Sequence, residues 1–222
     1  MRCYKSAEVN STISPFINKS YMTIRKINLD VIDEDSASEA IDIITKIAKE
    51  SRIAWALVGG LAMNLYGSDR LTKDIDVIST KRLPMSKEKV AGQLRQGGER
   101  YNIKTSKRDV PVDWIIRADE FNKLFAAALS ESVRINDIPI LTPEWLVILK
   151  FIAGRFKDQE DAVFLLSRKD LVDRDVIKSK MIKHVGRTAW GLARHGYKRW
   201  FDMADGRTLE EERNEKDGYI DS

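Results

Sequence analysis

With 222 residues, 43% of them hydrophobic, the chain has room for one large folded domain or two small ones around a real core. The single cysteine, Cys3, rules out a disulfide framework or a thiolate metal site within one chain, and no apolar run approaches the ~20 residues that span a bilayer. The net charge of +4 is uneven: residues 202–222 carry eight acids against three bases, so a basic body precedes an acidic tail.

Residues 1–30 show no sustained period and no apolar stretch of a secretory signal. They read as a flexible arm of a cytoplasmic protein with no membrane partner, and Met22 is an alternative start. A first helix is expected over DSASEAIDIITKIAKES, with Ser36 as its cap and Ala40, Ile43, Ile44 and Ile47 at helical spacing. A strand at 53–58 (IAWALV) stops at Gly59-Gly60, a short helix over LAMNLYG closes at Gly67, and a second strand occupies 74–79 (DIDVIS). SKEKVAGQLRQ reads as a helix ended by Gly97-Gly98, and strands are expected at 101–106 and 110–117 around a polar KRD turn.

From residue 118 the pattern becomes mostly helical. ADEFNKLFAAALSES is followed by a short strand pair around VRINDIPIL, then by a helix in TPEWLVILKFIAGRF with Thr142 as N-cap and Pro143 in the first helical position. Helices at about 159–168, 173–185 and 187–203 complete a helical region over 142–205, and 206–222 reads as an acidic disordered tail. The expected fold class is α/β (α+β): a mixed sheet with flanking helices over 31–141 and a helical C-terminal half.

The chemistry concentrates between residues 55 and 79. In a strand, residues two apart share a face, so Asp74 and Asp76 project together with Cα atoms roughly 6–7 Å apart, while Ile75 and Val77 point to the core. Two carboxylates so close repel, and a divalent cation between them relieves the repulsion. Hard oxygen ligands favour Mg²⁺. Asp113, with apolar neighbours in VPVDWII, supplies a third acid on an adjacent strand, and three such acids suit a two-metal site for phosphoryl or nucleotidyl transfer. Gly59 and Gly60, between strand and helix, let backbone N–H groups approach a phosphate. The plain alternatives are a half-solvated strand for Asp74 and Asp76, an edge-strand acid for Asp113 and a tight turn for the glycines. His184 and His195 read as surface or core histidines rather than ligands.

LVGGLAMNLYGSDRLTKDIDVI resembles the hallmark of the polymerase-beta-like nucleotidyltransferase superfamily: an apolar strand, a glycine pair, then Asp-x-Asp in the next strand, here with thirteen residues between Gly60 and Asp74. The wording is most similar to the AbiEii-type toxin branch and its MenT-like relatives. Tyr66, Gly67, Arg70, Thr72, Asp74 and Asp76 match its first motif, and Pro143, Glu144, Lys150, Arg155, Lys157, Asp158 and Asp161 match a later one, so the resemblance covers about 53–166. It implies a nucleotidyltransferase-type sheet, two Mg²⁺ ions on Asp74, Asp76 and Asp113, with Asp113 also a possible general base, and an NTP whose phosphates meet Gly59, Gly60, Arg70 and Lys150. Asp158 would support the site. Lys150 also reads as a lysine snorkelling from a buried helix face, and Lys157, Asp158 and Asp161 as a solvated helix start.

The implied function is transfer of a nucleoside monophosphate from an NTP to a hydroxyl, by a toxin of a toxin–antitoxin or abortive-infection system that acts on tRNA and has a cognate antitoxin as partner. Residues 168–200, with ten Lys/Arg against three Asp, suit an RNA acceptor, with Trp190, Tyr197 and Trp200 available to stack on bases if exposed; the alternative is a solvated helix face over buried aromatics. A small-molecule (antibiotic) nucleotidyltransferase, a protein-modifying nucleotidyltransferase and a non-catalytic RNA- or protein-binding module are the competing functions.

Overall fold

A computed structural model of the protein describes residues 31–207. The expected arm over 1–30, with Cys3 and Met22, and the expected tail beyond residue 207 lie outside the described residues. Among the described residues seven strands, β1 (Trp55–Val58), β2 (Ile75–Ser79), β3 (Val90–Gln93), β4 (Gly98–Lys104), β5 (Asp109–Ile115), β6 (Val133–Ile135) and β7 (Ile138–Ile140), form one mixed sheet in the order β3-β4-β5-β2-β1-β7-β6. With its flanking helices it is the expected fold class, with one strand more than the six expected. Among the described residues no helix is long and apolar enough to cross a membrane.

Helix α1 (Glu34–Glu50) buries Ala37, Ala40, Ile41, Ile44 and Ala48 along one face. Its cap is Asp33 rather than Ser36: Asp33 Oδ1 accepts from the Ser36 N–H at 3.0 Å, and Ser36 itself is buried. The earlier acid wins because its carboxylate adds favourable charge at the helix N-terminus. Strand β1 (Trp55–Val58) is buried throughout and runs into α2 (Gly59–Leu65). Strand β2 (Ile75–Ser79) pairs antiparallel to β1 and parallel to β5 (Asp109–Ile115), while β4 (Gly98–Lys104) pairs antiparallel to β5.

The helix expected over SKEKVAGQLRQ is absent. Only a 3₁₀ turn, Lys87–Lys89, precedes the edge strand β3 (Val90–Gln93), which pairs with β4. Gly97 and Gly98 close this hairpin with φ of +99° and +97°, and the backbone of Ile116 and Trp114 leaves no room for a Cβ at either position. Sheet hydrogen bonds along β4 outweigh a weak helical spacing, which is the usual way tertiary pairing overrides local propensity.

Helix α3 (Asn122–Ser130) leads to the hairpin β6 (Val133–Ile135) and β7 (Ile138–Ile140), and β7 lies parallel to β1. Helix α4 (Pro143–Ala153) starts with Pro143 as expected, but Thr142 Oγ1 makes no capping bond and is buried with no hydrogen-bond partner among the described residues. Helices α5 (Phe156–Ser167), α6 (Arg174–Val185) and α7 (Arg187–Ala204) pack on α4 and on each other. Phe151 of α4 stacks on Tyr197 of α7 with ring centroids 3.9 Å apart, and Gly196 permits the approach, since a Cβ there would lie 2.8 Å from the Phe151 ring.

Candidate active site

The β2–β5 ladder builds the site. Asp76 is in register with Asp113, so two neighbouring parallel strands present carboxylates side by side, and Asp74 precedes β2 by one residue. All three line one cleft of about 610 Å³, within the range that holds a small ligand. A second, basic wall is made by Arg70, Lys150, Arg155 and Lys157, which line the same cleft; of these, Lys150 is buried. Phe121, Phe125, Leu146, Leu149 and Ile152 give the cleft an apolar end, where the Arg117 guanidinium sits 5.2 Å from both phenylalanine rings.

Gly59 and Gly60 have a steric reason that lies in β2 and the segment leading into it. Gly59 has φ +67°, and a Cβ on it would fall 1.9 Å from Asp76 Oδ2. At Gly60 a Cβ would meet Thr72 Oγ1 at 2.6 Å. The glycine pair thus lets the acidic strand lie directly against the end of β1, which brings a side-chain-free stretch of backbone beside the carboxylates.

Among the three acids, Asp76 is distinctive. No hydrogen bond or ion pair reaches its carboxylate among the described residues. Burial first, then the charges of Asp74 and Asp113, push its pKa up to about 7. Its side chain retains some exposure to the cleft, so the desolvation comes from protein packed closely around a carboxylate that still faces an open space. Asp74 and Asp113 are instead held by Arg100, a residue that sequence reading left out. Arg100 Nε donates to Asp113 Oδ1 at 2.5 Å and Nη2 to Asp113 Oδ2 at 2.8 Å, while Nη2 also reaches Asp74 Oδ2 at 2.9 Å. The signal was available: counted back from the KRD turn, the β4–β5 hairpin sets Arg100 opposite Asp113.

The donor set suits a hard divalent cation: three carboxylates, one of them unpaired and pressed toward protonation. As the side chains stand, no three acidic, His or Cys groups converge as a metal cage among the described residues, and Arg100 engages two of the acids.

The basic wall is a paired network. Lys150 Nζ donates to Asp161 Oδ2 at 2.5 Å and lies 3.6 Å from Asp158 Oδ1; all three side chains are buried. Arg70 binds the same Asp161 oxygen, and Arg155 makes two bonds to Asp158, at 2.6 and 3.1 Å. Burial works to raise the Asp158 pKa, but Arg155 and Lys150 outweigh it and hold the carboxyl below its ordinary value. The structure therefore brings Arg70, Lys150 and Asp158 to the cleft, and it adds Asp161 and Arg155, which the later motif contained without a role.

The basic C-terminal helices lie differently from the stacking arrangement considered above. Tyr197 and Trp200 are buried and Trp190 packs against the core, so stacking on a base is closed to the first two. Lys180 is committed to Glu131 and to the face of Trp145, 4.9 Å from the ring centroid.

No family model matches the chain, and no curated protein matches it. Solved structures do. The antibiotic-resistance factor ANT(2'')-Ia is 12% identical, with a TM-score of 0.44 over 74% of this chain and 100% of that one. JHP933 from Helicobacter pylori is 15% identical, with a TM-score of 0.42 over 68% and 75%. The Megavirus polyadenylate synthase is 14% identical, with a TM-score of 0.42 over 76% of this chain and 41% of that one.

Proposed function

We propose that the cleft transfers a nucleoside monophosphate from an NTP to an acceptor hydroxyl and releases pyrophosphate. The observation that carries this reading is the β2–β5 register, which sets Asp76 beside Asp113 against the Gly59 turn, in a cleft that cations also line. Asp74, Asp76 and Asp113 would hold two Mg²⁺ ions, which would neutralise phosphate charge and make the acceptor hydroxyl more acidic. Gly59 and Gly60 offer bare backbone to the triphosphate. Arg70 and Lys157 turn positive charge toward it, with Lys150 and Asp158 holding that wall in place. Asp113 accepts the hydroxyl proton as the acceptor oxygen bonds to the α-phosphorus. The bond from that phosphorus to the bridging oxygen breaks, and its electron pair leaves on pyrophosphate.

In this reading the α/β region over 31–141 carries the acids and Arg70, and 142–205 carries the rest of the basic wall and the acceptor surface. The acceptor is tRNA or another RNA. Support comes from Lys178, Lys183, Arg187, Arg194 and Arg199, all exposed on α6 and α7. They suit contacts to phosphates rather than to bases. The toxin role, with a cognate antitoxin as partner, rests on the motif resemblance alone, and the protein acts in the cytoplasm, where NTPs are. The test is incubation of the purified protein with each labelled NTP and Mg²⁺, with total tRNA, with an aminoglycoside, or alone. Label on tRNA that needs Asp76 is the expected result. Label only on the drug or on protein would reassign the acceptor, and no label with any partner would remove the transferase reading.

A further inference from the structure

Arg100 occupies the oxygens that a cation would need. Its guanidinium engages both Asp113 oxygens and one of Asp74, in the fork geometry that makes arginine–carboxylate pairs strong and directional. Asp76, which makes no such bond, is left out of the arrangement. Arg100 cannot shed its charge by losing a proton at any ordinary pH. Its side chain is 40% exposed, so it can move into the cleft without crossing packed core. The sheet order places it on the far side of Asp113 from Gly59.

We propose that Arg100 is the resident counter-ion of the acid cluster and competes with a divalent cation for Asp74 and Asp113. Cation binding requires the guanidinium to release both carboxylates and turn into the cleft, where a nucleotide's phosphates stabilise the released side chain. Arg100 thereby couples cation and nucleotide: each binds more tightly when the other is present, and the acids stay neutralised when neither is. By linkage the coupling is reciprocal. The proposal rests on the reading of Asp74, Asp76 and Asp113 as cation ligands.

The test is direct Mn²⁺ binding to the full chain, followed by electron paramagnetic resonance without nucleotide, in the wild type and in Arg100→Met, Arg100→Gln and Asp76→Asn variants. Removing the competitor should tighten Mn²⁺ binding by roughly tenfold in both Arg100 variants. The thermal midpoint of the Arg100 variants should fall in EDTA and rise with Mn²⁺ by more than the wild type's does. Equal or weaker Mn²⁺ affinity in both Arg100 variants, with binding still dependent on Asp76, would overturn the counter-ion role and leave the metal site standing. Absence of any Asp76-dependent Mn²⁺ binding, in every protein, would overturn the metal site and the counter-ion role together.

Discussion

The two walls of the cleft carry opposite charge economies. On the helical side, Lys150, Asp158, Asp161, Arg155 and Arg70 satisfy one another, three of them buried, so the wall is complete as it stands. On the sheet side, Asp74 and Asp113 share one guanidinium, and no hydrogen bond or ion pair reaches Asp76 among the described residues. A closed network holds elements together, whereas an acid held in low dielectric beside two others stores unfavourable electrostatic energy that a ligand can relieve. The contrast separates a part whose charges satisfy one another from a part that keeps an unpaired acid.

The largest test of that contrast is Asp76→Asn. It should lower nucleotide transfer by about 10²–10³-fold, the scale of losing a preorganised electrostatic group, while the metal-free protein becomes no less stable. A denaturation midpoint well below wild type would place Asp76 with the structural acids instead. Asp161→Ala should do the reverse: Lys150 and Arg70 lose their shared oxygen, and breaking a buried pair costs about 3–5 kcal/mol, measurable by urea unfolding. Unchanged stability would show that Asp158 alone suffices for Lys150.

Gly59→Ala probes the join between β1 and the acids. The added Cβ meets Asp76 at 1.9 Å and the backbone there has φ +67°, so the carboxylate must shift. A displacement near 1 Å costs on the order of 10²-fold in rate. Full activity in the alanine variant would mean that Asp76 has room the structure does not show.

The walls should also answer pH with opposite signs. The folded-state pKa of Asp76 is raised to about 7, so the folded chain binds more protons than the unfolded one between about pH 4 and 7. Its contribution to stability falls as pH rises through that window. Asp158 is held below its ordinary value, so its contribution is present above pH ~4 and is lost as pH falls through the folded pKa. Unfolding measured in EDTA from pH 3 to 8 should show both trends, and Asp76→Asn should remove only the upper one. Smallest is the effect of Lys178→Glu with Lys183→Glu on exposed helix surface. RNA binding should weaken and its salt dependence flatten by roughly two phosphate contacts, with NTP binding unchanged; equal RNA affinity would turn the acceptor question toward a small molecule or a protein.

Much of the acidic wall was legible along the chain because its determinants are local. Alternation sets Asp74 and Asp76 on one face, the glycine pair marks the end of β1, and the KRD turn fixes a hairpin whose register reaches Asp113. Arg100 is reachable by the same register, but apolar alternation starts the strand at residue 101, one residue after it. Local sequence misled at 86–96, where SKEKVAGQLRQ reads as a helix and the chain instead adds an edge strand to β4. The basic wall was a matter of resemblance until α4 and α5 packed together. Periodicity puts Asp158 and Asp161 on one helix face, yet nothing within either helix says that Lys150 meets them or that Arg70, ninety-one residues away, joins the same oxygen. The fates of Tyr197 and Trp200 were decided in the same way. The amphipathic face of a helix shows in its sequence, but which aromatic side chains it buries depends on the helices packed against it. Backbone periodicity is a property of neighbours along the chain, and so the sequence alone determined the strand acids and glycines; pairing of distant charges depends on which surfaces meet, and only the tertiary structure decided that.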